Sequence, residues 1–114
     1  MSFDVRIEMA KEDRKYFENW EDYAKIIAEV ARDCLEDARV YVFGSVAEGR
    51  HTPASDIDMM IVSPETPRRM EDRARIAGEI FKRVGVFSPF ELHIVTPEEF
   101  EWYRRFVRKM VEIK

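Results

Sequence analysis

A single cysteine, Cys34, among 114 residues rules out an internal disulfide and any zinc site built from several thiolates. A lone cysteine of this kind is expected as a small core hydrophobe. No run of residues approaches the roughly 18 apolar positions that a membrane-crossing helix needs. The opening residues Met1 to Arg6 do not join a basic region to an apolar stretch, so no secretory leader is expected and the expected location is cytoplasmic. Positive charge is not in excess either: 19 basic residues against 23 acidic ones leave a net charge of -4, which argues against bulk nucleic-acid binding but leaves room for a local basic pocket for a triphosphate. Glutamine is absent, and Asn19 is the only asparagine. With 37% of residues charged, this leans toward the ion-pair-rich, amide-poor composition of heat-adapted proteins.

What remains suits one folded domain spanning 1–114. The hydrophobic fraction of 46% supplies a real core, and no repeat, low-complexity tract or linker divides the chain. Phe3, Val5, Ile7 and Met9 alternate with charged residues at the two-residue period of a half-buried strand. Tyr16, Trp20, Tyr23, Ile27, Val30 and Cys34 recur at three- and four-residue steps, with Ala24, Ala31 and Leu35 widening the stripe, which predicts a helix capped near Asn19 or begun nearer Ala10. Val40–Phe43 and Ile57–Val62 are short, mainly apolar runs expected as buried strands, and Phe90–Val95 is expected as a third core strand. Between the last two, a helix over about Pro67–Val84 would bury Met70, Ala74, Ala77, Ile80, Phe81 and Val84, and would end at Gly85. Thr96-Pro97-Glu98-Glu99 carries the letters of a capping box. The helix it opens is expected to bury Phe100, Tyr103, Phe106, Val107 and Met110. The fold class is α/β (α+β).

Chemistry concentrates between Phe43 and Asp58. Side chains two apart on a strand share a face, so Asp56 and Asp58 are expected side by side with Ile57 turned into the core. Adjacent like charges repel, and a divalent cation such as Mg²⁺ would relieve that repulsion. A plain turn with Asp58 solvated would carry the same letters. Gly44-Ser45 ends a strand with a residue that has no side chain, so backbone N–H groups and a hydroxyl can approach a phosphate. A short helix begun at Val46-Ala47-Glu48 would add its dipole. Each feature has an ordinary reading as a turn or a cap; together they are more specific.

Gly44-Ser45 followed after ten residues by Asp56-Ile57-Asp58, with Gly49 between and Ser55 before the acidic pair, resembles the signature of the DNA polymerase β-like nucleotidyltransferase superfamily. More narrowly, it is similar to the minimal nucleotidyltransferases of prokaryotes, which neutralise HEPN-domain toxins. The resemblance spans about Val40 to Val95. It implies a polymerase β-like fold, ATP as substrate, two Mg²⁺ ions, and AMP transfer to a tyrosine hydroxyl of a HEPN partner. It also implies nucleotide binding by Gly44, Ser45 and Ser55, and a third carboxylate on a later strand. Glu91 is the candidate, completing a catalytic and metal-binding set with Asp56 and Asp58; most relatives carry Asp there, and an exposed edge-strand glutamate is the competing reading of the same letter.

His93 shares the face of Glu91 and is placed to touch it or substrate, although a lone strand histidine is more often structural, while His51 is expected in a solvated loop. Arg50, Arg68, Arg69 and Arg73 are candidates to meet a triphosphate, although arginines at such helical positions commonly form only a solvated face. At this length no extra acceptor-gripping domain is expected, which favours a partner protein as the source of the hydroxyl. Two other functions stay open: a non-catalytic nucleotide-binding module that masks its partner, and transfer to a small-molecule hydroxyl.

Overall fold

The computed structural model describes residues 13–52 and 54–114. The strand expected over Phe3–Met9 lies outside the described residues. Helical residues 13–18 lead into α1 (Trp20–Cys34), followed by β1 (Arg39–Phe43), the single turn α2 (Gly44–Ala47), β2 (Ile57–Val62), α3 (Met70–Val84), β3 (Phe90–Val95), α4 (Pro97–Arg104) and β4 (Met110–Glu112). The sheet order is β3-β2-β1-β4. β1 runs antiparallel to β2 and β4, and β2 runs parallel to β3. A parallel pair cannot be joined by a hairpin, and α3 provides the crossover.

The period of two sorts each strand onto two faces. Val40, Val42, Ile57, Met59, Ile61, Phe90 and Ile94 pack beneath α1 and α3 in one cluster with Ala24, Ile27, Ala31, Ile80 and Val84. Burying an aliphatic side chain of this size contributes about 1.5–3 kcal/mol. The opposite face carries Phe43, Met60, Val62 and Val95, partly covered by Phe100, Tyr103, Val107 and Met110.

Helix boundaries follow local chemistry, with corrections. Thr96 caps α4 with a complete capping box: its hydroxyl accepts from Glu99 N at 3.3 Å, and Glu99 accepts from Thr96 N at 2.8 Å. Gly85 ends α3 at φ 116, its N–H donating to Phe81 O. Asn19 occupies the N-cap position of α1 but does not cap it; its amide donates back to Lys15 O, because the chain is already helical before it.

Met70 is 72% exposed and Ala74 is exposed, whereas Arg73 is buried. The Arg73 Nε donates to Pro67 O at 2.6 Å. Its Nη1 donates to Ile94 O at 3.1 Å and pairs with Glu99 at 2.9 Å, so this guanidinium ties α3 to β3 and α4. The expected last helix is shorter than its aromatic stripe: it stops at Arg104, leaves Phe106 68% exposed, and yields Met110 to a strand that pairs with Phe43. Cys34 is exposed rather than buried, since the stripe of α1 turns inward at Val30, Ala31 and Leu35 instead.

Candidate active site at the β1–α2 turn

Gly44 closes β1 at φ 74, a left-handed conformation that glycine adopts without steric cost. A Cβ here would run into the carboxylate of Asp58, whose Cγ would stand 3.3 Å away. The glycine therefore does two things: it permits the backbone reversal and it lets the turn lie directly against an acidic side chain. Its successor Ser45 is half-buried in α2, and the Ser45 carbonyl accepts from Arg50 N at 2.8 Å, holding the loop that follows.

Pairing of the strands then aligns the chemistry. Phe43 faces Asp58 across β1 and β2, and Asp58 faces Glu91 across β2 and β3. Asp58, Glu91 and His93 each offer a ligand atom, and these atoms lie within 4.8 Å of one another. The Nε2 of His93 is 3.6 Å from an Asp58 oxygen and 3.7 Å from a Glu91 oxygen. That nitrogen is buried without a hydrogen-bond partner among the described residues, and its ring lies beside Phe43 and Tyr103. Partial burial pushes the Glu91 carboxyl above its ordinary value, and the charges of Asp58 and Asp56 push it further, against the opposing pull of His93.

The expectation that both aspartates stand on the strand is corrected for Asp56. It lies one residue before β2, exposed in the loop, outside the cluster of ligand atoms but near enough to act on Glu91. Ser55 shapes that loop: its hydroxyl accepts from Thr52 N at 2.9 Å and lies 3.3 Å from the Thr52 hydroxyl. The structure thus brings together Asp58, Glu91 and the Gly44 turn, with Asp56 and Ser55 on the adjoining loop. His93 is the residue that sequence reasoning set aside. Its one signal was the shared parity with Glu91.

Of the arginine candidates, Arg73 is consumed by structural contacts, Arg69 pairs with Glu71 at 2.7 Å, and Arg68 is exposed. Arg50 pairs with Glu48 at 3.2 Å and lines an open pocket of about 540 Å³ with Phe43, Gly44, Phe106, Val107 and Arg108. Two of its lining residues adjoin the acidic cluster: Phe43 faces Asp58 in the sheet, and Gly44 lies against the Asp58 side chain. His51 is exposed as expected and stacks on Phe17 at 5.4 Å between ring centres.

Two carboxylates held at facing register positions, one of them with its charge disfavoured, suit a divalent cation. The cation would also satisfy the orphaned His93 nitrogen. The donors present fit such an ion, and the glycine leaves backbone room for a phosphate next to it.

Comparison with known proteins bears on the fold and the family. The family described as nucleotidyltransferase domain matches residues 23–113. A crystal structure of a protein described as a nucleotidyltransferase is 36% identical, with a TM-score of 0.64, and the match covers 77% of this chain and 94% of the other. A second, from Sulfolobus solfataricus and described in the same way, is 22% identical with a TM-score of 0.63, covering 91% of this chain and 85% of that one; it speaks to the fold alone. No curated protein matches.

Proposed function

The chain belongs to the nucleotidyltransferase domain family, and from that premise we propose that it moves AMP from ATP to a hydroxyl, by preference a tyrosine hydroxyl of a HEPN-domain toxin that it neutralises. The observation that carries this reading is the facing of Asp58 and Glu91 across β2 and β3, with the Gly44 turn pressed against Asp58.

Asp58 and Glu91, with Asp56 on the adjoining loop, would hold Mg²⁺. When bound, the metal neutralises triphosphate charge and lowers the pKa of the acceptor hydroxyl. Backbone N–H groups at Gly44 and Ser45 orient the phosphates. The acceptor oxygen attacks the α-phosphorus, the bond to the β-phosphate's bridging oxygen breaks, and pyrophosphate departs. Glu91 takes the proton from the hydroxyl. A HEPN tyrosine as acceptor rests on the resemblance of the Gly44-Ser45 and Asp56-Ile57-Asp58 segment to the minimal nucleotidyltransferases.

The test is mass spectrometry of a co-expressed HEPN partner, with labelling from ATP tagged at its α-phosphate. Added AMP on a partner tyrosine is expected with the wild-type chain and not with a folded Asp58→Ala variant. Labelling that survives Asp58→Ala contradicts the assignment.

The exposed position of Asp56 off the strand favours one second reading, a module that binds nucleotide and masks its partner without chemistry. A stable complex with no mass shift and no ATP turnover would select it. Labelling of a small-molecule hydroxyl, with none on the partner, would redirect the acceptor.

A further inference from the structure

His93 gives the site a donor that three carboxylates alone would not. Its Nε2 sits at nearly equal distances, 3.6 and 3.7 Å, from oxygens of Asp58 and Glu91. A charge-assisted hydrogen bond to either would be roughly 2.7–2.9 Å long, so the nitrogen is bonded to neither. It is also buried and has no hydrogen-bond partner among the described residues, a costly state for an imidazole nitrogen. Ligands about 2.0–2.2 Å from a common ion stand roughly 3.0–3.5 Å from each other, only a few tenths of an ångström inside the two His93 distances. The ring is pinned between Phe43 and Tyr103, at centre distances of 5.2 and 5.8 Å, so packing rather than a hydrogen bond aims it.

Resting on the functional reading above, we infer that Asp58, Glu91 and His93 form one mixed nitrogen–oxygen site that favours a late first-row transition-metal dication, of the Zn²⁺ kind, over Mg²⁺. Mg²⁺ prefers oxygen donors and keeps its water, whereas imidazole suits zinc and its neighbours. The parity of β3 makes His93 available: Glu91 and His93 share a face, and the parallel register sets Asp58 beside Glu91.

The test titrates the whole protein with Zn²⁺ alone and with Mg²⁺ alone, by calorimetry, while following the imidazole signals of His93 by NMR. His51, the other histidine, serves as internal control. Expected are a Zn²⁺-induced shift confined to His93 and a drop in Zn²⁺ affinity of about 10-fold or more in His93→Phe, with Mg²⁺ affinity little changed. Phenylalanine keeps the packing against Phe43 and Tyr103, and the wild-type NMR arm stands even if that variant folds poorly. An unmoved His93 signal at saturating Zn²⁺, or equal Zn²⁺ affinity in a folded His93→Phe, overturns the inference. If Zn²⁺ ignores His93 while Asp58-dependent AMP transfer persists, only this inference fails. If Zn²⁺ binds through His93 but no metal supports transfer, the functional reading fails instead.

Discussion

At the scale of single residues, Gly44 and Glu91 bear most of the weight. Replacing Gly44 by alanine forces a side chain into left-handed backbone, at a cost of about 1–2 kcal/mol. It also drives the Asp58 carboxylate out of place. Denaturant melts of Gly44→Ala should show at least that loss, with weakened Mg²⁺ binding; a variant as stable and as tightly binding as wild type would refute the dual role. Glu91 makes a pH prediction. Its carboxyl is raised in the fold, so its neutral form contributes stability below the ordinary glutamate range, and that contribution is lost as pH rises through the raised value. A divalent cation should pull the value back down and release a proton, visible as a shifted Glu91 titration by NMR with and without Mg²⁺. Much of this was legible in the letters: the glycine-serine turn, and the parity that puts Glu91 and His93 on one face. The register that brings Asp58 opposite Glu91 was not, because pairing between residues 33 positions apart leaves no local pattern.

Among elements, Arg73 is the clearest joint. Its guanidinium bonds Ile94 O on β3, Pro67 O before α3, and Glu99 on α4, all of which would lose their donor on substitution. Arg73→Met keeps the apolar stem and should cost about 1–3 kcal/mol in denaturant melts, while a neutral result would show the contacts to be incidental. Glu99 is held below the usual carboxylate range, chiefly by the Thr96 backbone N–H, with Arg73 assisting. Its contribution is present above the ordinary glutamate value and disappears as pH falls through the lowered one, so the gap between wild type and Arg73→Met should narrow in acid. Arg73 read as a surface cation because composition offers no sign of its buried carbonyl partners. The strands β1 to β3 were legible because buried runs such as Val40–Phe43 are apolar throughout. The strand β4 was hidden by the aromatic stripe before it: Phe100, Tyr103, Phe106 and Val107 continue a helical spacing, but the chain leaves the helix after Arg104 and spends Met110–Glu112 on the free edge of β1.

For the molecule as a whole, the topology explains why one end of the sheet gathers the chemistry. The parallel β2–β3 pair, bridged by α3, sends Asp58 and Glu91 out on the face that α4 covers only in part, while the other face is filled by α1 and α3. The turn after β1 closes over the same corner. Neither carboxylate has a stabilising role in the apolar core, so both can be changed with little harm to folding. The decisive measurement is the single-turnover rate of α-labelled AMP transfer for Asp58→Asn, Glu91→Gln and the double variant, each shown to be folded. Groups that act as one unit do not add. The account predicts that either single change lowers the rate by about 100-fold or more and that the double is no slower than the worse single. Transfer at the wild-type rate in either folded single variant would contradict it.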